Sequence, residues 1–271
     1  MKRILSFLFA LILIFSLFSC TQDSVSLRVT VLAIGKADCI VLQTSGHVVM
    51  IDTGEEENYE EIASFLKTSG IETVDCLILS HFDKDHVGGA AKIVQNFQVL
   101  AAYQSAFSGD RPEYTAYISA CEEKNVPVTR LGEKTDLSFD GVRFSLYPPE
   151  QDSYKKNEDN NSSVIVLCTA SGKNLLFTGD ALEERMEEFL GQNPGPCEFI
   201  KLPHHGSYLE NYPEILEALS PEYAAITCSK KNPEDEALTA LLSEKGVRYY
   251  LTRGGNPVSV KVSSSGMTVS Q

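Results

Sequence analysis

The chain has 271 residues, of which 43% are hydrophobic and 22% are charged, and its formal net charge is −14. These proportions are typical of a folded globular protein and exclude a largely disordered chain. The acidic balance disfavours stable binding to duplex nucleic acid, because the overall field repels a polyanion.

The first twenty residues have the pattern of an export signal. A positively charged start precedes an almost continuous apolar run over residues 4–18, which is shorter than a typical membrane span. Residues 17–20 read Leu-Phe-Ser-Cys, which resembles the lipobox of bacterial lipoproteins and implies lipidation of Cys20. We therefore expect a signal peptide with a lipobox-like end over 1–20 and a folded domain over 21–271. The lipid on Cys20, the first residue of the mature chain, would anchor this domain outside the cytoplasm. Plain secretion and an uncleaved anchor are the alternatives.

The rest of the chain alternates between strand and helix patterns. Short apolar runs bounded by turn residues predict strands over residues 27–34, 39–43, 47–51, 74–79, 99–104, 136–139, 142–147, 164–169, 174–177, 199–202, 223–228, 248–251 and 257–262. Helical spacing of apolar residues predicts helices over residues 57–69, 88–97, 112–124, 181–190, 213–219 and 234–245. Residues 148–163 form a polar loop without predicted structure, and loops of that length are often functional. Two strand-rich halves with helices outside them indicate the α/β class, with two sheets sandwiched between helices.

The segment His81-Phe82-Asp83-Lys84-Asp85-His86 directly follows a predicted buried strand. Four potential metal ligands thus fall within six residues, at the kind of strand end where sites of α/β proteins collect. Mixed imidazole and carboxylate ligands suit zinc, manganese or iron rather than calcium. A solvated polar turn is the alternative, which the placing of two of the five histidines in this segment disfavours.

Two further strand ends carry residues of metal-ligand type. Asp180 follows a strand and either binds a metal or caps the next helix. His204 and His205 follow the strand at 199–202, where Gly206 permits a close approach of the backbone. We predict that these strand ends and the 81–86 segment converge on one metal site.

Taken together, these motifs resemble the metallo-β-lactamase superfamily and, within it, the hydrolase domain of the ComEC competence proteins and their stand-alone relatives. The resemblance covers nearly all of residues 27–262 and is carried by Gly35-x-x-Asp38, Ile51-Asp52-Thr53-Gly54, Ser80-His81-x-Asp83-x-Asp85-His86, Asn160-x-x-Ser163, Thr178-Gly179-Asp180 and His204-His205-Gly206-Ser207. It implies a four-layer αββα sandwich. Asp83 stands at the second histidine of the superfamily signature, as in the ComEC-type proteins. No histidine lies between His86 and His204, so the superfamily's middle ligand is missing.

The resemblance also implies which residues hold metal. Two divalent ions, zinc or manganese, would be bound. The candidate ligands are His81, Asp83, Asp85, His86, Asp180, His204 and His205, and only one of the two adjacent histidines would serve. The first ion would lie on His81 and Asp83, the second on the other ligands, and Asp180 would bridge them. Fewer nitrogen ligands and more oxygen ligands shift the expectation toward manganese.

Catalytic and substrate-binding roles follow from the same resemblance. Asp85 and Asp180 would be the catalytic carboxylates, because Asp85 could orient the attacking hydroxide and Asp180 would bridge the ions. The residues implied to contact substrate are Asp38, Asn160, Ser163 and Ser207.

The function implied is that of a metal-dependent phosphodiesterase or nuclease outside the cytoplasm, related to the hydrolase domain used for DNA uptake in competence. Its expected substrates are small phosphodiesters or single-stranded DNA, because the acidic chain disfavours long DNA. Hydrolysis of another ester, a lactone or a β-lactam stays open, since one fold hosts many reactions. A non-catalytic metal-binding module also stays open, because the middle ligand is missing.

Overall fold

The computed structural model describes residues 25–271. The strands of this part of the chain are β1 (Val25–Val31), β2 (Ile40–Gln43), β3 (Val48–Ile51), β4 (Thr73–Val74), β5 (Cys76–Leu79), β6 (Gln98–Val99), β7 (Ala102–Ser105), β8 (Val128–Leu131), β9 (Thr135–Phe139), β10 (Val142–Tyr147), β11 (Ile165–Ala170), β12 (Lys173–Phe177), β13 (Phe199–Lys201), β14 (Tyr223–Ile226), β15 (Arg248–Leu251), β16 (Val258–Ser263) and β17 (Gly266–Ser270).

The helices alternate with these strands. In chain order they are α1 (Tyr59–Thr68), α2 (Lys84–Val87), α3 (Ala90–Asn96), α4 (Pro112–Lys124), α5 (Glu158–Asn161), α6 (Glu183–Gly191), α7 (Tyr212–Leu219) and α8 (Glu236–Glu244). Local sequence explains several of their ends. Pro112 occupies the first turn of α4, where a missing N–H costs nothing, and Asn125 ends that helix in a left-handed conformation. The Asp235 carboxylate caps α8 by accepting a hydrogen bond from the backbone N–H of Ala237.

Two large sheets lie face to face. One has the strand order β17-β16-β1-β2-β3-β5-β7-β8, and the other has the order β15-β14-β13-β12-β11-β10-β9. The chain therefore returns to the first sheet at its end, where β16 pairs antiparallel with β1. Both sheets also contain a parallel part, formed by β3, β5, β7 and β8 in one and by β12 to β15 in the other.

The core consists of three apolar layers. Val29 and Phe144 belong to the layer between the sheets. Ile62 and Tyr117 belong to the layer under α1, α3 and α4, and Met186 belongs to the layer under α6, α7 and α8. Helices thus cover the outer face of each sheet, and the predicted αββα sandwich is confirmed.

Strand β12 shows why buried strands appear in the sequence as continuous apolar runs. Leu175 and Phe177 face the layer between the sheets, while Leu176 between them faces the helical layer. Alternate side chains of a strand point to opposite faces, so a strand covered on both sides needs apolar residues at every position.

The parallel strands position the functional residues. Carboxyl ends of neighbouring parallel strands lie along one edge of a sheet. Asp52 follows β3, His81 lies just beyond β5, Asp180 lies beyond β12, His205 beyond β13 and Thr227 directly after β14. The two sheets present these ends along one shared rim.

Some predicted elements differ from those observed. The 148–163 loop contains the short helix α5, and the predicted strand at 74–79 is divided at Asp75, whose carboxylate instead accepts a hydrogen bond from the backbone N–H of Val48 at 2.8 Å. Strands β8 and β17 were not predicted. They have few buried side chains, so the apolar alternation that identifies a strand is weak in both.

Among residues 25–271, no helix is long and apolar enough to cross a membrane. The predicted signal peptide and Cys20 lie outside the residues that the structure describes. Six cysteines lie within them, and all six are buried free thiols. Four of these lie in apolar runs of the sequence, where a thiol acts as a small hydrophobic side chain: Cys39, Cys76, Cys168 and Cys228.

Candidate metal centre

Four side chains of metal-ligand type meet at the rim shared by the two sheets. His86 Nε2 lies 3.3 Å from His205 Nε2 and 3.2 Å from Asp180 Oδ1. The second oxygen of Asp180 lies 3.2 Å from His205 Nε2. Asp85 Oδ2 lies 3.4 Å from the same nitrogen. We call these four residues the cage.

Several distances in the cage match those of a tetrahedral ion site. Two ligand atoms bound about 2.0–2.1 Å from an ion at the tetrahedral angle lie about 3.3 Å apart, and the four distances above, three of which involve His205 Nε2, are 3.2–3.4 Å. Asp180 Oδ1 is buried and, apart from its ion pair with His86, has no hydrogen-bond partner within residues 25–271. Such an atom is costly unless something satisfies it. The residues therefore fit a divalent ion with mixed nitrogen and oxygen ligands.

Asp52 fixes the orientation of His86. Its Oδ2 lies 2.8 Å from His86 Nδ1, so the other ring nitrogen faces the cage. The same carboxylate accepts hydrogen bonds from the backbone N–H and the hydroxyl of Ser80, each at 2.7 Å. A carboxylate on the second nitrogen is typical of metal-binding histidines. Sequence reasoning singled out the turn that contains Asp52 but missed this role, because the partner is 34 residues away.

The adjacent histidines at the end of β13 point in different directions. His205 is 3% exposed, and its Nδ1 lies 3.0 Å from Thr227 Oγ1, so that Nε2 faces the cage. His204 Nε2 lies outside the cage, 3.5 Å from Asn160 Nδ2. Both histidines have left-handed backbones, with φ of 47° and 54°. At Gly206, a Cβ would lie 2.7 Å from a side chain of β14, so this turn requires glycine. His205 is therefore the candidate ligand of the pair.

The family model described as "Metallo-beta-lactamase superfamily" matches residues 34–229, which include the whole cage. The chain belongs to the metallo-beta-lactamase superfamily. The predicted membership is confirmed, and proteins of this fold typically bind two metal ions.

Relatives within the superfamily have names that refer to competence. "ComE operon protein 3" of Bacillus subtilis (strain 168) is 26% identical over 226 residues, which cover 75% of this chain and 29% of that protein. "Competence protein ComA" of Neisseria gonorrhoeae is 29% identical over 210 residues, which cover 75% of this chain and 27% of that protein. The chain thus spans less than a third of the length of these relatives. The predicted similarity to ComEC-type proteins is confirmed.

A solved structure shows the same fold. The metallo-beta-lactamase fold protein YhfI from Bacillus subtilis matches with a TM-score of 0.58 and 10% identity, over 87% of this chain and 100% of that chain. At that identity, the likeness supports the architecture and no finer property.

In this member of the superfamily, a second group of metal-ligand type lies beside the cage. His81 Nε2 is 3.7 Å from Asp83 Oδ2 and makes no hydrogen bond among the described residues. The His81 ring centre lies 4.1 Å from that of His86. We call His81 and Asp83 the open position, because the Asp83 side chain is 23% exposed. Its unsatisfied buried nitrogen fits a second ion, with fewer ligands than the cage provides.

Arg111 forms an ion pair with the other carboxylate oxygen of Asp83. Its Nη2 donates a hydrogen bond to Asp83 Oδ1 and lies 3.8 Å from Asp159 Oδ2. Sequence reasoning missed Arg111, because it lies 28 residues from Asp83 and belongs to no motif.

A buried ion pair, which we call the floor, lies beneath the cage. Lys201 Nζ contacts Asp38 Oδ2, lies 3.8 Å from Asp180 Oδ1 and donates a hydrogen bond to the Gly179 carbonyl at 3.3 Å. Thr227 Oγ1 donates a hydrogen bond to Asp38 Oδ1 at 2.6 Å. Lys201 is 0% exposed and Asp38 is 1% exposed. The structure thus places Asp38, which was predicted to contact substrate, behind the cage. Lys201 was missed.

The remaining predicted substrate contacts lie at different depths. Asn160 is half-buried and lines a surface cavity together with Asp83. Ser207 is also half-buried, and its backbone N–H donates a hydrogen bond to the His204 carbonyl. Ser163 is fully buried, and its hydroxyl accepts a hydrogen bond from the backbone N–H of Asp180 at 3.1 Å. Asn160 and Ser207 therefore have access to solvent near the site, whereas Ser163 supports the backbone at Asp180.

Charges within the cage shift the pKa values of its members in opposite directions. Burial lowers the pKa of His86 and His205, but the neighbouring carboxylates, Asp180 foremost, outweigh burial and raise both pKa values. Burial raises the pKa of Asp180, but the two histidines outweigh burial and hold this pKa well below its ordinary range. Raised pKa values favour the protonated rings, so a metal ion must compete with protons for both histidines.

Proposed function

We propose that the protein is a metal-dependent phosphodiesterase that acts outside the cytoplasm on small phosphodiesters or single-stranded DNA. The observation that carries this proposal is the cage, whose four ligand atoms lie within 4.8 Å of one another, next to an open position whose buried His81 nitrogen has no hydrogen bond within residues 25–271. The competence names of the relatives support a substrate related to DNA.

The residues at the rim would have different roles in such a reaction. Divalent ions, when bound, would activate a water molecule and offset the negative charge of the phosphodiester oxygens. The cage would hold one ion, the open position would hold the other, and Asp180 would be shared between them. The Asp85 side chain is 16% exposed and the Asp180 side chain is 3% exposed. Asp85 is therefore the cage carboxylate that can accept a hydrogen bond from water arriving from solvent and orient it.

Hydrolysis of a model phosphodiester tests the proposal. The chain from residue 21 onward, supplied with manganese or zinc, should hydrolyse bis(p-nitrophenyl) phosphate and shorten a single-stranded oligonucleotide. Asp85→Ala and His86→Ala should abolish both reactions and leave the circular dichroism spectrum unchanged. His47→Ala is the matched control, because His47 is 39% exposed and pairs with Asp140, which is not in the cage.

Three outcomes would contradict the proposal. Full turnover in both Asp85→Ala and His86→Ala would show that the cage is not the catalytic site. Faster turnover of a lactone or a cephalosporin than of the phosphodiester would move the protein to another class of hydrolase. Bound metal without turnover of any of these substrates would identify a binding module.

We also propose that the chain is exported and anchored by a lipid on Cys20. The charged start, the apolar run at 4–18 and the lipobox-like residues 17–20 support this. In a bacterial host, the wild-type chain should incorporate radiolabelled palmitate and sediment with membranes. Cys20→Ser should lose the label and the membrane association. An unlabelled wild-type chain would contradict the anchor.

A further inference from the structure

We propose that Arg111 is a substrate-binding residue, which donates hydrogen bonds to a phosphate oxygen at the edge of the open position and so selects anionic over neutral esters. This inference rests on the proposed function, because it names the charge of the substrate that the same site accepts. It assigns a role to a residue outside every motif of the sequence.

The position of Arg111 follows from two fixed pieces of backbone. Arg111 immediately precedes α4, and its carbonyl accepts a hydrogen bond from the Thr115 backbone at 3.2 Å. Asp83 immediately precedes α2, and its carbonyl accepts hydrogen bonds from the backbone of His86 and Val87 at 2.9 and 3.0 Å. The Asp83 carboxylate therefore lies between the Arg111 guanidinium and His81 Nε2, with one oxygen toward each.

The two oxygens of Asp83 have separate partners. Oδ1 accepts the hydrogen bond from Arg111, while Oδ2 lies nearest to His81. An ion at the open position could therefore use Oδ2 while Arg111 stays on Oδ1. A phosphate oxygen that reaches such an ion would come within range of the guanidinium.

Exposure separates Arg111 from the other cation of the site. Within residues 25–271, the lysine and arginine side chains paired with carboxylates of the cage, the floor or the open position are Lys201 and Arg111. Lys201 is 0% exposed and lies behind the cage, so it cannot touch a substrate. The Arg111 side chain is 40% exposed. In a chain with a net charge of −14, it is an exposed cation at the open position that can offset the charge of an arriving phosphate.

The guanidinium also has free donors. Within the described chain, its hydrogen bond to Asp83 uses one nitrogen, Nη2, and a guanidinium has five N–H groups in a planar fork that matches phosphate geometry. An ion pair this exposed contributes little to folding stability. Substitution of Arg111 should therefore leave the folded chain intact.

Titration with dimethyl phosphate, an unreactive phosphodiester anion, tests the inference in the full mature chain loaded with zinc. Arg111→Ala should weaken its binding about tenfold or more, the size expected for a lost hydrogen bond to a charged group. Arg111→Lys should recover part of the affinity, because the charge stays and the fork is lost. Arg130→Ala is the matched control, since Arg130 donates its hydrogen bond to the Tyr114 hydroxyl and contacts no carboxylate of the site.

Kinetics give a second measure. Arg111→Ala should raise the KM for bis(p-nitrophenyl) phosphate by a similar factor and leave the hydrolysis of p-nitrophenyl acetate and the metal content unchanged. Unchanged affinity for dimethyl phosphate would overturn the role of Arg111. So would loss of metal with an equal fall in kcat for both substrates, because Arg111 would then act through Asp83. If the wild-type chain binds dimethyl phosphate through Arg111 but hydrolyses no phosphodiester, the proposed function fails and the Arg111 site stands.

Discussion

The cage and the open position are neighbours on one rim, but they are built differently. In the cage, each histidine has a second partner that fixes its ring, Asp52 for His86 and Thr227 for His205. In the open position, His81 is also held, because it is fully buried and its Nδ1 lies 3.1 Å from Ser80 Oγ. The carboxylate is what differs, since the Asp83 side chain is 23% exposed and pairs with Arg111.

This difference separates two tasks of a hydrolytic site. The cage groups four ligand side chains whose ligand atoms lie within 4.8 Å of one another, and more ligands favour tighter binding of an ion. A position with fewer ligands and an exposed edge binds its ion less tightly, but it leaves room for substrate oxygens. We therefore expect the cage to determine whether metal is bound, and the open position to determine what approaches it.

The largest effect is expected from the two adjacent histidines. His205→Ala should abolish metal binding at the cage and hydrolysis of the phosphodiester, because it removes a ligand that lies 3.2–3.4 Å from three others. His204→Ala should retain the metal, because His204 lies outside the cage beside Asn160. Elemental analysis and initial rates of both variants measure this. Equal loss of metal in the two would show that the side chains exchange places.

The next effect concerns the floor beneath the cage. Lys201→Ala should lower the free energy of unfolding by about 3–5 kcal/mol, because Asp38 would be left buried without its cation. Lys173→Ala is the control. Its pair with Glu198 is about one third exposed, so its loss should cost no more than about 1 kcal/mol. Urea denaturation without added metal compares the two, and equal midpoints would contradict a structural role for the floor.

The cage was predictable from sequence because its ligands follow strands that are easy to identify. Apolar runs marked β5, β12 and β13, and residues of ligand type stood directly after each of them. Parallel strands bring Asp180 and His205 to one edge of the second sheet. The 81–86 segment follows β5 of the first sheet, and the similarity of the two halves leads us to expect it on the same rim.

The supporting residues were not predictable, for physical reasons. Lys201 ends a short apolar strand, and a lysine is rarely buried unless it is paired. Its partner Asp38 is distant in the chain. The choice between His204 and His205 depends on left-handed backbone angles that the sequence does not specify. Arg111 reaches Asp83 only because α4 begins beside α2. The C-terminal return of β16 to the first sheet likewise depends on pairing between distant segments.

A smaller effect is expected from pH. Burial lowers the pKa of His86 and His205, but Asp180 and the other nearby carboxylates raise both pKa values overall. Raised pKa values favour the protonated rings, so metal binding competes with protons at these nitrogens and releases those that are bound. Affinity should fall about tenfold per pH unit for each proton released as pH decreases. Chelator competition between about pH 6 and 8 measures the slope. The control variant His47→Ala should show the same slope of metal affinity against pH. A metal affinity that does not change with pH would contradict competition between protons and metal at the cage histidines.

The smallest effect on stability is expected at the open position. Asp83→Ala should change the free energy of unfolding by no more than about 1 kcal/mol, because Asp83 and Arg111 are 23% and 40% exposed and exposed ion pairs contribute little. The same variant should reduce the bound metal from two ions toward one, as measured by elemental analysis, because the cage keeps all of its ligands. If Asp83→Ala empties both positions, binding at the cage depends on the second ion, and the two halves of the rim act as one site.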